Sequence, residues 1–292
     1  MTIDRNDIIH PEDKAAIATL EAVPGFTKLA KWVMSKYSEV QFRGMNLGTK
    51  LRLNEKQFPE IYNMLKDICV ALGISPVPEL YLALDRDINA GTYGDNKIFI
   101  SINTGLLESV SCEEVKAVLA HECGHIVCRH TMYSTVANLL MTGAATFIPD
   151  IAIEAVQLAI KRWQRMSELS ADRVSALVMG SSYHVEQLLK RFFGSVKNIP
   201  NSELNPDEFE KQLDDFNTYM SGDWSRTLQN LAVLNLDHPL TAVRILELRK
   251  WTRTPAFRRY AEKIGVRACP FCGKPLATDR INRFCEGCHR PL

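Results

Sequence analysis

Apolar residues recur at helical spacing over residues 55–72, where Phe58, Ile61, Tyr62, Leu65, Ile68, Cys69 and Leu72 share a face and Gly73 supplies a stop. Residues 1–30 predict a short helix and then a break at Pro24-Gly25, and residues 28–40 return to a helical period. Two short β-like runs follow, residues 79–84 and 97–102, around the turn-rich sequence NAGTYGDN. Ser111 and Glu114 form a capping box that predicts a helix running through His130 and beyond. A second long helix is predicted over residues 153–179, ending at Gly180, and another over 240–251. Residues 198–223, rich in Pro, Asn, Asp and Glu, read as a mobile loop or a loosely held segment. From Cys269 onward the composition changes completely. These elements predict an α+β chain, mainly α with a small β-sheet, divided into a body at residues 1–262 and a small unit at 263–292.

Composition changes this picture little, because 46% hydrophobic and 24% charged residues are ordinary for a chain that buries a core. Charge changes it more. From Arg249 onward there are 11 Lys or Arg against 3 Asp or Glu, a local +8, which leaves the preceding residues at −7. A basic tail on an acidic body can bind nucleic acid, an anionic surface, or its own body. The N-terminal sequence MTIDRNDIIHPEDK has no apolar core of a secretory signal. The most apolar stretch, residues 136–160, is interrupted by Asn138, Pro149, Asp150, Glu154 and Gln157, whereas a membrane span needs roughly 20 unbroken apolar residues. It reads as two buried or amphipathic helices meeting at Pro149. Four of the eight cysteines form one cluster, and Cys69, Cys112, Cys123 and Cys128 are scattered. That is the usage of a reducing compartment, and a cytoplasmic location is expected.

The chemistry concentrates on the capped helix, in the sequence AHECGHIV. His121 and His125 lie four residues apart, so both imidazoles can reach one metal. Glu122, one step around, can stand beside the open coordination position. Zinc lowers the pKa of its water to about 7, and a carboxylate so placed can take the proton. Two surface histidines on an ordinary helix would give this pattern in about one chain in a hundred, so context decides. The sequence SELSAD supplies it: Glu168 can complete a His₂Glu ligand set, and Asp172 on the same face can accept a hydrogen bond from a ligand histidine.

Four matches now make the chain resemble the M48 family of gluzincin metallopeptidases, which includes the HtpX and CAAX prenyl proteases. They are the HExxH helix at His121 to His125, the downstream Glu168 and Asp172, Asn89-Ala90, and His238-Pro239 followed by Arg244 and Ile245. Together they span roughly residues 80–249. The resemblance implies a gluzincin fold with the two ligand helices facing each other across zinc. It implies that Asn89 and Ala90 lie on an edge strand where an extended substrate pairs through its backbone. It implies that His238 stabilises an oxyanion near the metal, and that Arg244 holds that segment in place. His130 recurs at a similar place in relatives and is read here as a satisfied structural histidine. HtpX and the prenyl proteases are integral membrane proteins, so a soluble branch of the family is the better fit. The expected activity is hydrolysis of peptide bonds in protein or peptide substrates, as an endopeptidase.

Cys269, Cys272, Cys285 and Cys288 form two CxxC pairs separated by twelve residues, the pattern of a structural zinc ribbon. His289 is an alternative fourth ligand. So short a unit buries too little apolar surface to fold alone, and a second zinc is expected to fold it. Two rivals remain at this stage: a metal-binding scaffold with little turnover, and a regulator acting through the basic ribbon on a protein partner or, with weaker support, on nucleic acid.

Overall fold

The computed structural model describes residues 3–36, 39–95, 97–141, 153–194, 205–220, 240–276 and 283–292. The chain opens with four helices, α1 (Arg5–Ile8), α2 (Pro11–Glu21), α3 (Phe26–Lys36) and α4 (Glu39–Thr49), then β1 (Leu51–Leu53) and α5 (Pro59–Leu72). Strands β2 (Glu79–Ala83), β3 (Ala90–Tyr93) and β4 (Phe99–Asn103) follow, and then α6 (Thr104–Ser109), α7 (Cys112–Val127), α8 (Thr131–Met141) and α9 (Ile153–Met179). The described remainder contains α10 (Tyr183–Gly194), α11 (Pro206–Tyr219), α12 (Thr241–Thr252), α13 (Pro255–Ile264) and the cysteine-rich unit. The architecture is mainly helical with one small sheet, as the periodicity predicts.

The sheet is mixed and ordered β1-β2-β4-β3, with β2 parallel to β4 and the outer strands antiparallel to their neighbours. Strand β3 is therefore an edge strand, although its residues read as a turn in the sequence. Two cores form. The larger packs α5, α7, the C-terminal half of α9, α12 and α13 against the sheet, with Ile100, Leu119 and Leu177 fully buried. The smaller joins α2 and α3 to α8 and the first half of α9 around the buried ring of Trp163. Helix α9 runs through both cores, and α7 packs in the larger one.

Local chemistry explains the ends of these elements. Helix α5 stops at Gly73, which takes the left-handed conformation at φ 72°. The capping box is present in both directions: Ser111 N–H donates to Glu114 at 2.7 Å, and Glu114 N–H donates to the Ser111 hydroxyl at 3.3 Å. Helix α7 nevertheless ends at Val127, short of the predicted His130, because Arg129 turns left-handed at φ 60° and redirects the chain. Residues 198–223 are also corrected in part. Asn205 caps and Pro206 opens α11, whose Phe209 and Leu213 are buried one turn apart. Pro149, the expected meeting point of two helices, lies outside the described residues.

Part of the basic tail is neutralised by the body itself. Arg249 bonds Glu186 and Glu210 at 2.6 and 2.7 Å, and Arg259 bonds Asp7 at 2.6 Å. Among the described residues no helix is long and apolar enough to cross a membrane.

Candidate active site

Helices α7 and α9 cross closely because small residues face each other. A Cβ built on Gly124 would lie 2.8 Å from the Ala171 Cα, and the Ser175 hydroxyl donates to the Ala117 carbonyl at 2.7 Å. This contact brings His121 and His125 of α7 to Glu168 of α9. The Nε2 atom of each histidine lies 3.5 Å from a different Glu168 oxygen, and one donor atom from each residue falls within a 4.8 Å cluster. Zinc bonded at about 2.0–2.1 Å in tetrahedral geometry holds its donors about 3.4 Å apart, so this donor set fits the ion in both type and spacing.

The far side of each imidazole is occupied. His121 Nδ1 faces Asp172 Oδ1 at 3.0 Å. Arg244 grips Asp172 as a fork, Nε to Oδ2 at 2.8 Å and Nη2 to Oδ1 at 2.7 Å, while its Nη1 reaches Glu168 Oε2 at 3.1 Å. One guanidinium thus fixes a candidate ligand directly and a ligand histidine through Asp172. His125 Nδ1 faces His130 Nδ1 at 3.0 Å, and His130 Nε2 faces Asp13 Oδ2 at 2.9 Å.

Burial opposes charge on Glu168, Asp172 and His121, and their partners outweigh it. Desolvation alone would raise Glu168 and Asp172, yet Arg244 and His121 hold Glu168 well below the usual carboxylate range and lower Asp172 too. Desolvation would lower His121, but Glu168 and Asp172 raise it to about 10. Zinc binds the neutral imidazole, so the ion competes with a proton at His121. Asp172→Asn keeps the shape of the carboxylate without its charge. It should weaken zinc binding roughly 10–100-fold, read by competition with a chelator. Equal zinc affinity and equal turnover would reduce Asp172 to a packing role.

Glu122 points from α7 toward the sheet. Its Oε2 accepts a 2.6 Å hydrogen bond from the hydroxyl of Thr92, the buried position of β3. Sequence reading missed Thr92, because β3 is too short for an alternating pattern. Ala90 begins this edge strand and pairs with Ile102. Asn89 precedes it, and its side-chain oxygen accepts from Ala90 N–H at 2.9 Å. His238 lies outside the described residues, and the structure brings together His121, His125, Glu168, Asp172 and Arg244 without it.

Cys269, Cys272, Cys285 and Cys288 form a second cluster, separate from the first. Cys269 and Cys288 sulfurs are 3.7 Å apart, and Cys272 and Cys285 sulfurs 3.5 Å. The two knuckles repeat each other. Cys269 N–H donates to the Lys274 carbonyl and Cys285 N–H to the Arg290 carbonyl, both at 2.9 Å, and the left-handed Gly273 (φ 70°) has its counterpart in His289 (φ 57°). In that position His289 serves the turn and stands outside the cluster.

The model of peptidase family M48 matches residues 55–252, which contain His121, Glu122, His125, Glu168, Asp172 and Arg244. The chain belongs to peptidase family M48. This M48 chain is 30% identical over 261 residues to plastoglobule-localized metallopeptidase 48, chloroplastic, of Arabidopsis thaliana, covering 88% of the chain and 75% of the relative. It is 26% identical over 180 residues to protease HtpX homolog 2 of Methanosarcina acetivorans and 25% identical over 180 residues to that of Methanosarcina mazei. Each of these two matches covers 52% of the M48 chain and 61% of the relative. No solved structure matches. By this membership the M48 chain is a protease of a zinc-dependent family, and both clusters are compatible with zinc.

Proposed function

We propose that the chain is a zinc-dependent endopeptidase in which Glu122 is the general base. The observation that carries this reading is the Glu122 carboxylate itself, 5% exposed, adjacent in sequence to His121 and tied to the edge strand by Thr92. His121, His125 and Glu168 would hold the zinc, which when bound supplies a Lewis acid at the scissile carbonyl and lowers the pKa of its water to about 7. Glu122 takes the proton of the attacking water and delivers it to the leaving amine. The Thr92 hydroxyl, donating to one carboxylate oxygen, leaves the other free for that transfer. Asp172, Arg244 and His130 keep the ligand side chains in place while charge moves. An extended substrate adds to β3 along Ala90, with Asn89 fixing the start of the strand. His238 stabilises the oxyanion.

In this reading residues 1–262 are the catalytic unit and 263–292 a ribbon folded by a second, structural zinc. The ribbon is the surface for a protein partner. Eight cysteines with no disulfide between them suit a reducing compartment such as the cytoplasm. Elemental analysis should therefore find about two zinc ions per chain. The Cys269→Ser, Cys272→Ser double variant should retain one of them and still cleave casein, since the catalytic unit does not depend on the ribbon ion to fold. Removing the remaining zinc should abolish cleavage, and adding zinc back should restore it. One zinc in the wild type, or casein cleavage that survives complete chelation, would refute this assignment.

A further inference from the structure

His125 is held by a buried relay that ends on the N-terminal helix α2, outside the residues matched by the family model. His125 Nδ1 lies 3.0 Å from His130 Nδ1, and His130 Nε2 lies 2.9 Å from Asp13 Oδ2. The Ser170 hydroxyl donates to the same Asp13 oxygen at 2.5 Å, and His10 N–H donates to Ser170 Oγ at 2.9 Å. His130, Asp13 and Ser170 are all 0% exposed, and the Trp163 ring packs edge-on to His130 at 5.7 Å between centroids.

Hydrogen-bond bookkeeping fixes the direction of this relay. Two facing Nδ1 atoms need one proton between them, and two facing lone pairs would repel. If His125 presents Nε2 to the metal, as the proposed function requires, its Nδ1 carries the hydrogen and donates to His130 Nδ1. His130 Nδ1 is then the acceptor, its Nε2 carries the hydrogen, and Asp13 accepts it. Each tautomer follows from the one before, and the carboxylate of Asp13 is the anchor. The geometry points to Asp13 and His130 as positioning residues for the metal centre: the N-terminal helix sets the tautomer and orientation of His125, just as Asp172 and Arg244 set those of His121. A helix that served packing alone would need only an apolar side chain at the position of Asp13.

The inference rests on the assignment of His121, His125 and Glu168 as zinc ligands, and the experiment separates the two. Full-length wild type, His130→Phe, His130→Gln and Asp13→Asn are equilibrated with a graded chelator series, and retained zinc is measured, the ribbon ion serving as an internal reference. Phe fills the space of His130 without an acceptor. Gln can accept from His125 and donate to Asp13. Zinc of the catalytic site should leave His130→Phe at roughly 10–100-fold lower chelator strength than wild type. His130→Gln should recover most of that loss, and Asp13→Asn should fall between. In nitrogen-15 spectra of the zinc-loaded wild type, His125 should appear as the Nδ1–H tautomer, and that proton should exchange faster in His130→Phe. If His130→Phe does not fold, the comparison of His130→Gln with Asp13→Asn and the His125 tautomer decide the matter. Wild-type zinc retention in both Asp13→Asn and the His130 variants, or a His125 bound through Nδ1, overturns the relay alone. A wild type that holds only the ribbon zinc overturns the ligand assignment itself.

Discussion

Glu122→Gln should lose at least 10²–10⁴-fold in turnover, the contribution of a general acid–base group, while zinc content and thermal stability stay near wild type. Glutamine matches the shape of Glu122, and its carbonyl oxygen can still accept from the Thr92 hydroxyl, a bond of 2.6 Å in the native site. It cannot take a proton at neutral pH. His125→Ala provides the contrast, because two protein ligands hold zinc poorly and both the ion and the activity should go. Casein cleavage and elemental analysis on the two variants separate the chemistry from the scaffold. Cleavage by Glu122→Gln at the wild-type rate would leave the chain as a metal-binding scaffold, with the proteolysis coming from elsewhere.

Gly124→Val should damage both stability and the metal site without touching any candidate ligand. Even a methyl group at Gly124 would meet the Ala171 Cα at 2.8 Å, the Ala171 carbonyl oxygen at 3.0 Å and the Val174 Cβ at 3.1 Å. Two of these are backbone atoms of α9, so relief requires the helices to separate. Overpacking of this kind costs about 1–3 kcal/mol, more than the roughly 1 kcal/mol at most that any residue gains over glycine in a helix. His121 and His125 ride on one helix and Glu168 on the other, so a separation of about 1 Å should also cost on the order of 10²-fold in activity. Thermal unfolding and casein cleavage report the two losses. A variant as stable and as active as wild type would show that α7 and α9 tolerate separation.

Much of this architecture was legible where the signal is local. The face of α5, its Gly73 stop, the capping box of α7 and the end of α9 at Gly180 are written within a few residues of where they act. Elements whose sequence signal is ambiguous were misread. Asn89, Gly91 and Gly94 are turn residues by type, yet Ala90–Tyr93 gains strand geometry from its pairing with β4. Asn205 and Pro206 read as loop punctuation, although the same two residues cap and open a helix. Arg129 adopts a glycine-like conformation with no glycine to announce it. Spacing on a helix likewise suggested Asp172 as a partner for a ligand histidine. Nothing local could link Asp13 to His130, because 117 residues separate them, and Thr92 reaches Glu122 across 30.

Those separations bear on the life of the chain during synthesis. Arg244 closes on Asp172 from 72 residues downstream, so a nascent chain that has exposed the HExxH helix still lacks the guanidinium that fixes Glu168. At about 5–20 residues per second, roughly 6–25 seconds pass between translation of His121 and translation of Arg244. During that interval Glu168 and Asp172, and His121 through Asp172, stand without the guanidinium that frames them. The frame around Glu168 and Asp172 can therefore close only once α12 has been made.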